Sequence, residues 1–246
     1  NEFKRFCKRD SFGTRIYSHY LCYGYEFDFV AFWVQINDTG NITSAFCRID
    51  NEFIVCINSD ADFEEINSFL NFQSKISVTF DNEFSKYISA CDGCVSAGDI
   101  LKYSGNDKEY SDSDICVPQL KDYHDLLLSC ESDNFFVPEY MTFLSDVSRR
   151  QQRELCDVSG IYVDSFLASC AMTVSYTDFS VILGAVATNS NYRKRGLATN
   201  IVKSLAEKYK HTEKVYIYTT IEKNSRFYES LGFVVCGKWI KYTYGG

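Results

Sequence analysis

The residues best suited to chemistry lie in one window, residues 181–205, with the sequence VILGAVATNSNYRKRGLATNIVKSL. An apolar β-branched run ends there in a polar turn, and a helix with a basic, glycine-containing start follows. The first turn of a helix has amides without intrahelical partners, and together with the helix dipole they attract an anion. Gly196 and Ala198 keep side chains away from this point, and residues 193–195 add three positive charges. The window therefore predicts a pyrophosphate-binding site.

The elements that would position this site follow a regular order in the C-terminal half. Two helical patterns, at 122–130 and 140–155, come first. The elements predicted after them are strands within 160–176 and 179–188, a helix over 195–209, a strand over 214–220, a short helix over 224–232 and a strand over 233–244. Leu197, Ile201, Leu205 and Tyr209 form one apolar stripe on the helix over 195–209.

The N-terminal half shows a similar order without the same chemistry. The predicted elements are a helix over 11–25, strands over 29–36, 42–49 and 52–58, a helix over 62–72, a strand over 76–80 and a short helix around 84–88. This repetition favours an internal duplication, although chance similarity of α/β patterns is an alternative. At the equivalent helix start the N-terminal half has four acids, Asp60, Asp62, Glu64 and Glu65. These would repel a pyrophosphate, so only the second copy is predicted to bind the anion.

A polar, acidic stretch, SGNDKEYSDSD at 104–114, separates the two halves and is typical of an exposed linker. We predict an N-terminal domain over 1–105, a linker over 106–118 and a C-terminal domain over 119–246. The alternation of strands and helices predicts an α/β (α+β) fold with a mixed sheet and flanking helices.

Composition limits the class of protein. The chain has 246 residues, of which 46% are hydrophobic and 24% charged, as in a globular protein. A formal net charge of −8 opposes nucleic-acid binding and is compatible with a cationic substrate. No window approaches 18 consecutive apolar residues, which predicts no membrane association.

Cysteine and histidine usage bears on metal and on location. The eleven cysteines lie mostly in apolar segments, which favours reduced thiols and a cytoplasmic location. Cys91 and Cys94 are closely spaced, and a zinc site or a redox pair is the alternative use of that spacing. Zinc would need two further ligands, but the three histidines are isolated in sequence, so we expect no metal.

The C-terminal half resembles the GNAT (Gcn5-related) N-acetyltransferase family. Arg193, Gly196 and Ala198 match the family pattern of Arg or Gln, two residues, Gly, one residue, then Gly or Ala. The downstream segment FYESLGF, which begins at Phe227, matches the second signature, in which a Tyr, here Tyr228, is followed after three residues by Gly-Phe. The resemblance covers about 120–246, and it implies that the N-terminal half is a diverged GNAT-like domain in tandem.

The resemblance implies acetyl-CoA as the co-substrate. It places the backbone of Val186 and Thr188 beside the pantetheine arm, between two strands that splay apart. The residues implied to bind the cofactor are Val186, Thr188, Arg193, Lys194, Arg195, Gly196, Leu197, Ala198, Thr199 and Asn224. Asn224 lies four residues before Tyr228, where the family often has Asn seven before, so it either reaches the pantetheine or caps a helix that begins near Ser225.

Tyr228 is the candidate general acid, which would protonate the departing CoA thiolate. A buried aromatic residue of the core is the alternative interpretation of this tyrosine. No general base is evident, because nothing distinguishes among Glu154, Asp157 and Asp164. The basic cluster at 149–153 is either a solvated helix face or part of the acceptor pocket or a phosphate contact.

The sequence therefore predicts an N-acetyltransferase that transfers an acetyl group directly to a primary amine of a small molecule or peptide. The alternative is a CoA-binding or scaffold protein that has lost turnover, with the N-terminal domain as a partner-binding or homodimerising module. Aminoacyl transfer from tRNA on a tandem GNAT scaffold is disfavoured by the acidic charge.

Overall fold

The computed structural model describes residues 2–89, 93–131, 136–220 and 222–244, without the side chains of 222 and 223. The chain forms two compact units. The first comprises residues up to Leu101, Thr219–Ser225 and the residues from Val235 onward, and the second comprises Lys102–Tyr218 and Arg226–Val234. The predicted single boundary at 106–118 differs from this division, because the chain returns to the first unit near its C-terminal end.

The helices are α1 (Glu2–Cys7), α2 (Ser11–Tyr23), α3 (Phe63–Phe72), α4 (Leu120–Leu128), α5 (Tyr140–Gln152), α6 (Leu197–Tyr209) and α7 (Glu222–Glu229). The strands are β1 (Val30–Ile36), β2 (Ile42–Ile49), β3 (Glu52–Ile57), β4 (Ser77–Asp81), β5 (Val95–Tyr103), β6 (Val158–Val163), β7 (Phe166–Tyr176), β8 (Ser180–Thr188), β9 (Lys214–Thr219) and β10 (Phe233–Thr243). In the part of the chain that the structure describes, no helix is long and apolar enough to cross a membrane.

The first unit contains a mixed sheet in the order β1-β2-β3-β4-β10-β5. The strands β1, β2 and β3 are antiparallel, β4 is parallel to β3, and β10 is antiparallel to β4. Helix α3 connects β3 to β4 and buries Ile66 and Leu70 against the fully buried Phe53 and Phe80. Removing these apolar side chains from water stabilises the packing of helix on sheet.

The second unit repeats this order in the strands β9-β8-β7-β6. The strands β6, β7 and β8 are antiparallel, and β9 is parallel to β8 after the connecting helix α6. Helices α4 and α6 both pack on β7 and β8. The predicted stripe on α6 is confirmed at Ile201, Leu205 and Tyr209, which are buried, whereas Leu197 at the start of the helix is only half-buried. The predicted α+β class, with mixed sheets and flanking helices, is also confirmed.

Three sequence predictions differ from the structure. Helix α1 and strand β5 were not predicted. Strand β5 lacks an apolar alternation and contains Gly98, where an added Cβ would lie 1.7 Å from the carbonyl oxygen of Thr219. The predicted helix around 84–88 is instead a 3₁₀ turn over Asn82–Phe84, which Asp81 caps by accepting a hydrogen bond from Glu83 N.

Candidate active site

Helix α6 begins without a side-chain cap. Gly196 precedes it with φ +82°, a left-handed conformation that favours glycine, and a Cβ added there would meet no atom within 4 Å. Asn200 N donates to Gly196 O at 3.0 Å. Among the described residues, the three preceding amides, those of 197–199, donate no hydrogen bond. This helix start therefore presents free donors into open space, as an anion site requires.

The three cations before the helix are exposed, and two of them have identified contacts. Arg193 Nε donates to Thr188 O at 3.2 Å, which ties the turn to the end of β8. The Arg195 guanidinium lies over the Tyr192 ring, 5.0 Å from its centroid. Lys194 has φ +64°, a conformation that is uncommon outside glycine and costs about 1 kcal/mol or more. The turn thus holds all three charges at the start of α6.

The equivalent helix of the first unit, α3, is closed to anions by its own carboxylate. Asp62 Oδ1 accepts hydrogen bonds from Glu64 N at 2.9 Å and Glu65 N at 3.1 Å. The Glu65 carboxylate in turn accepts from Gln35 Nε2 at 2.6 Å. The amides that would bind a phosphate are thus occupied, and the surrounding charge is negative.

Strand β8 has an unpaired edge where the pantetheine is predicted. Its parallel pairing with β9 ends at Leu183↔Ile217 among the described residues, although β8 continues to Thr188. On the other edge, Asn189 N donates to Ala168 O at 2.9 Å. Because amides alternate sides along a strand, those of Val186 and Thr188 then point away from β7. The N–H groups of Val186 and Thr188 are therefore available to a ligand inserted like a strand, whereas the Thr188 carbonyl oxygen already accepts a hydrogen bond from Arg193 Nε.

A β-bulge at Ala185 shapes this edge, and it was not predicted from the sequence. The β7–β8 register passes from Cys170↔Ala187 to Met172↔Gly184, so β8 has one extra residue. Ala185 has φ +49°, and its carbonyl oxygen accepts a hydrogen bond from the Tyr123 hydroxyl at 2.8 Å. Bulges re-aim backbone groups and occur often beside active sites.

Tyr228 is buried, and its ring contacts Phe227 and Phe233 with centroids 5.0 and 6.0 Å away. Burial raises the pKa of its hydroxyl well above the ordinary value of 10.0, so the group is protonated at neutral pH.

Asn224 is exposed and is the third residue of α7. The alternative that Asn224 caps a helix near Ser225 is therefore wrong, because that helix begins at Glu222.

The carboxylates considered as general bases have structural roles. Asp157 Oδ2 accepts hydrogen bonds from Lys208 Nζ and Tyr209 Oη. Glu154 has φ +59° just after α5, and Asp164 has φ +49° in the two-residue turn between β6 and β7. Glu154 and Asp164 are exposed at turns, and Asp157 is half-buried and engaged, so nothing in the structure selects a base from this group.

The basic cluster on α5 includes one anchored side chain. Arg150 pairs with Asp146 at 3.0 Å and donates to Val174 O, which fastens α5 to β7.

The Cys91 and Cys94 pair lies partly outside the described residues, because Cys91 is not among them. Of the residues that are described, no three potential ligands are grouped as for a metal ion.

The comparisons with known proteins agree with this geometry. Residues 157–235 match the family model described as an acetyltransferase (GNAT) domain. This segment is a GNAT acetyltransferase domain. It contains β6 to β9, α6 and α7, and so the uncapped helix start and the bulged strand. None of the curated proteins gives a significant sequence match to the chain.

Solved structures of GNAT proteins resemble most of the chain in fold. A tandem GNAT protein from the clavulanic acid biosynthesis pathway has 9% identity and a TM-score of 0.58, covering 95% of this chain and 88% of its own. A GNAT-family acetyltransferase from Colwellia psychrerythraea has 11% identity and a TM-score of 0.59, covering 92% and 90%. A GCN5-related N-acetyltransferase from Kribbella flavida has 12% identity and a TM-score of 0.57, covering 82% and 87%. The GNAT fold thus extends well beyond the GNAT domain itself.

Proposed function

We propose that this protein is an N-acetyltransferase that uses acetyl-CoA and acts on a primary amine of a small molecule or peptide. The observation that carries the proposal is the uncapped start of α6 beside the unpaired edge of β8, both within the GNAT domain. The helix start suits a pyrophosphate, and the strand edge suits the amide-bearing pantetheine arm.

The residues present fit acetyl-CoA. The amides of 197–199 and the cations of 193–195 would hold the pyrophosphate, and Gly196 leaves room for it. The backbone of Val186 and Thr188 would pair with the pantetheine. Asn224 remains a candidate contact of the pantetheine because its side chain is exposed.

Transfer to the amine needs a proton donor for the leaving sulfur. The amine nitrogen forms a bond to the thioester carbon, the carbon–sulfur bond breaks, and the thiolate takes a proton. We assign that proton to Tyr228, whose hydroxyl stays protonated because burial raises its pKa. The proton lost by the amine passes to solvent. Of the carboxylates considered as the base, Glu154 and Asp164 lie in turns and Asp157 is paired with Lys208.

The second candidate function is CoA binding without turnover, and one observation favours it. Asp157, one of the three carboxylates considered as a general base, accepts hydrogen bonds from Lys208 and Tyr209. A scaffold or sensor would keep the cofactor site and need no base.

Two measurements distinguish these functions: the Tm with and without ligand, and an assay for release of the CoA thiol. We expect acetyl-CoA and CoA each to raise the Tm, because a ligand that binds the folded state stabilises it by mass action. Release of CoA thiol with one class of amine in a broad panel supports the enzyme, and stabilisation without release supports the binding protein. An unchanged Tm with both ligands would contradict both functions.

We also propose that the protein acts in the cytoplasm without a nucleic-acid partner. The cysteine content supports a cytoplasmic location, and the acidic net charge opposes nucleic-acid binding. Six of the described cysteines are buried, as expected of thiols kept in a reducing compartment.

A further inference from the structure

Tyr123 places a polar group in the core of the second unit. It lies on α4 with a fully buried side chain, and its ring stacks on Phe143 with centroids 5.9 Å apart. Its hydroxyl donates to Ala185 O at 2.8 Å. Burial raises the pKa of this hydroxyl well above its ordinary value, so it remains a neutral donor. A buried hydroxyl needs such a partner, and here the partner is the bulge of β8.

The bulge is a strained point of the backbone. Ala185 has φ +49°, which costs an alanine about 1 kcal/mol or more. Such a conformation persists when surrounding contacts fix it, and strained positions cluster at functional sites. Two side chains approach the Ala185 carbonyl, the Tyr123 hydroxyl at 2.8 Å and the Cys170 thiol at 3.9 Å. The shorter of the two contacts is the stronger constraint.

The direction of this carbonyl determines the direction of the next amide. Ala185 C=O and Val186 N–H belong to one trans peptide unit, so the two groups point in opposite directions. Tyr123 holds the carbonyl, and Val186 N–H therefore points away from α4. It lies on the edge of β8 that has no partner beyond Leu183↔Ile217 in the described chain.

We infer that Tyr123 is a positioning residue, which aims Val186 N–H at the thioester carbonyl of bound acetyl-CoA. This inference rests on the proposed function. Attack by an amine puts negative charge on the carbonyl oxygen, and a donor already in place stabilises that charge. A hydrogen bond to the carbonyl side of a peptide unit also polarises its N–H, which makes Val186 N–H a stronger donor. Tyr123 itself touches neither the substrate nor the reacting atoms.

The test compares Tyr123→Phe with Tyr209→Phe. Each variant removes one tyrosine hydroxyl of a buried residue in the same unit, but the Tyr209 hydroxyl donates to Asp157, the residue before β6, and not to β8. The readout is the infrared band of the carbonyl in bound, carbonyl-¹³C-labelled acetyl-CoA, which needs no acceptor. We expect both variants to bind acetyl-CoA within about threefold of the wild type, because the pyrophosphate contacts are intact.

In the wild type and Tyr209→Phe, the band should lie below its frequency in free acetyl-CoA, since a hydrogen bond weakens the C=O bond. In Tyr123→Phe it should return toward the free value. If Tyr123→Phe is unfolded, Tyr123→Phe combined with Ala185→Gly carries the same comparison, because glycine takes a positive φ at little cost. An equal band in wild type and Tyr123 variants that bind acetyl-CoA would overturn the positioning role. Lack of acetyl-CoA binding by the wild type would instead contradict the proposed function.

Discussion

Gly196 and Asp62 occupy the same position before their helices and give them opposite properties. Gly196 leaves the first turn of α6 open, and Asp62 fills the first turn of α3 with a carboxylate. This difference was predictable from sequence, because the capping preference of Asp and the charges near each residue are local properties. The role of Tyr123 was not predictable, since nothing in the sequence links it to Ala185, 62 residues away.

Tyr228→Phe tests the proposed general acid at this scale. The change keeps the ring between Phe227 and Phe233 and removes only the proton donor. Turnover should fall about 100-fold or more, a usual loss for a general acid, while acetyl-CoA still raises the Tm. Steady-state thiol release measures the effect, and Tyr209→Phe is the control for loss of a buried tyrosine hydroxyl.

The pH profile gives an independent check on Tyr228. Because burial raises the pKa of the Tyr228 hydroxyl, its protonated form persists to higher pH. Deprotonation of Tyr228 should therefore cause no loss of wild-type activity below pH 10.0, the ordinary pKa of a tyrosine. Full turnover in Tyr228→Phe would dismiss this residue as the acid and leave the core-aromatic interpretation.

At the scale of elements, the segment predicted as a linker is anchored to α6. Lys203 is 1% exposed, and its Nζ donates to Asn106 O at 3.1 Å and Asn106 Oδ1 at 2.7 Å. Further along, Ser111 N donates to Asn200 Oδ1 at 3.2 Å. The acidic, turn-forming composition correctly predicted irregular structure here. It did not predict the anchoring, because lysine in a helix is usually a surface residue.

Lys203→Met tests this anchor. The variant keeps the apolar stem but leaves the Asn106 oxygens without their charged donor, so the free energy of unfolding should fall by about 2 kcal/mol. Limited proteolysis should also cut more readily within 104–111. Lys210→Met is the control, because Lys210 is the C-cap residue of the same helix and is exposed. Similar stability and proteolysis of both variants and the wild type would contradict the anchoring role.

At the scale of the whole molecule, the two units share one order of elements, three antiparallel strands followed by a helix and a parallel strand. Apolar periodicity predicted most of these elements, since each unit needs a buried face on every strand and helix. It could not predict that the C-terminal end of the chain returns to the first unit, because strand partners are chosen by packing across long sequence separations. We predict that this chain of two similar units has a single cofactor site.

Titration calorimetry of the full chain with CoA tests this central claim most directly, using wild type, Gly196→Ala and Gly196→Glu. Both substitutions strain the positive φ of Gly196, but only glutamate adds a negative charge at the start of α6. We predict one CoA per wild-type chain, weaker binding by Gly196→Ala and no measurable binding by Gly196→Glu. Two sites per chain, or equal binding by the Ala and Glu variants, would contradict it.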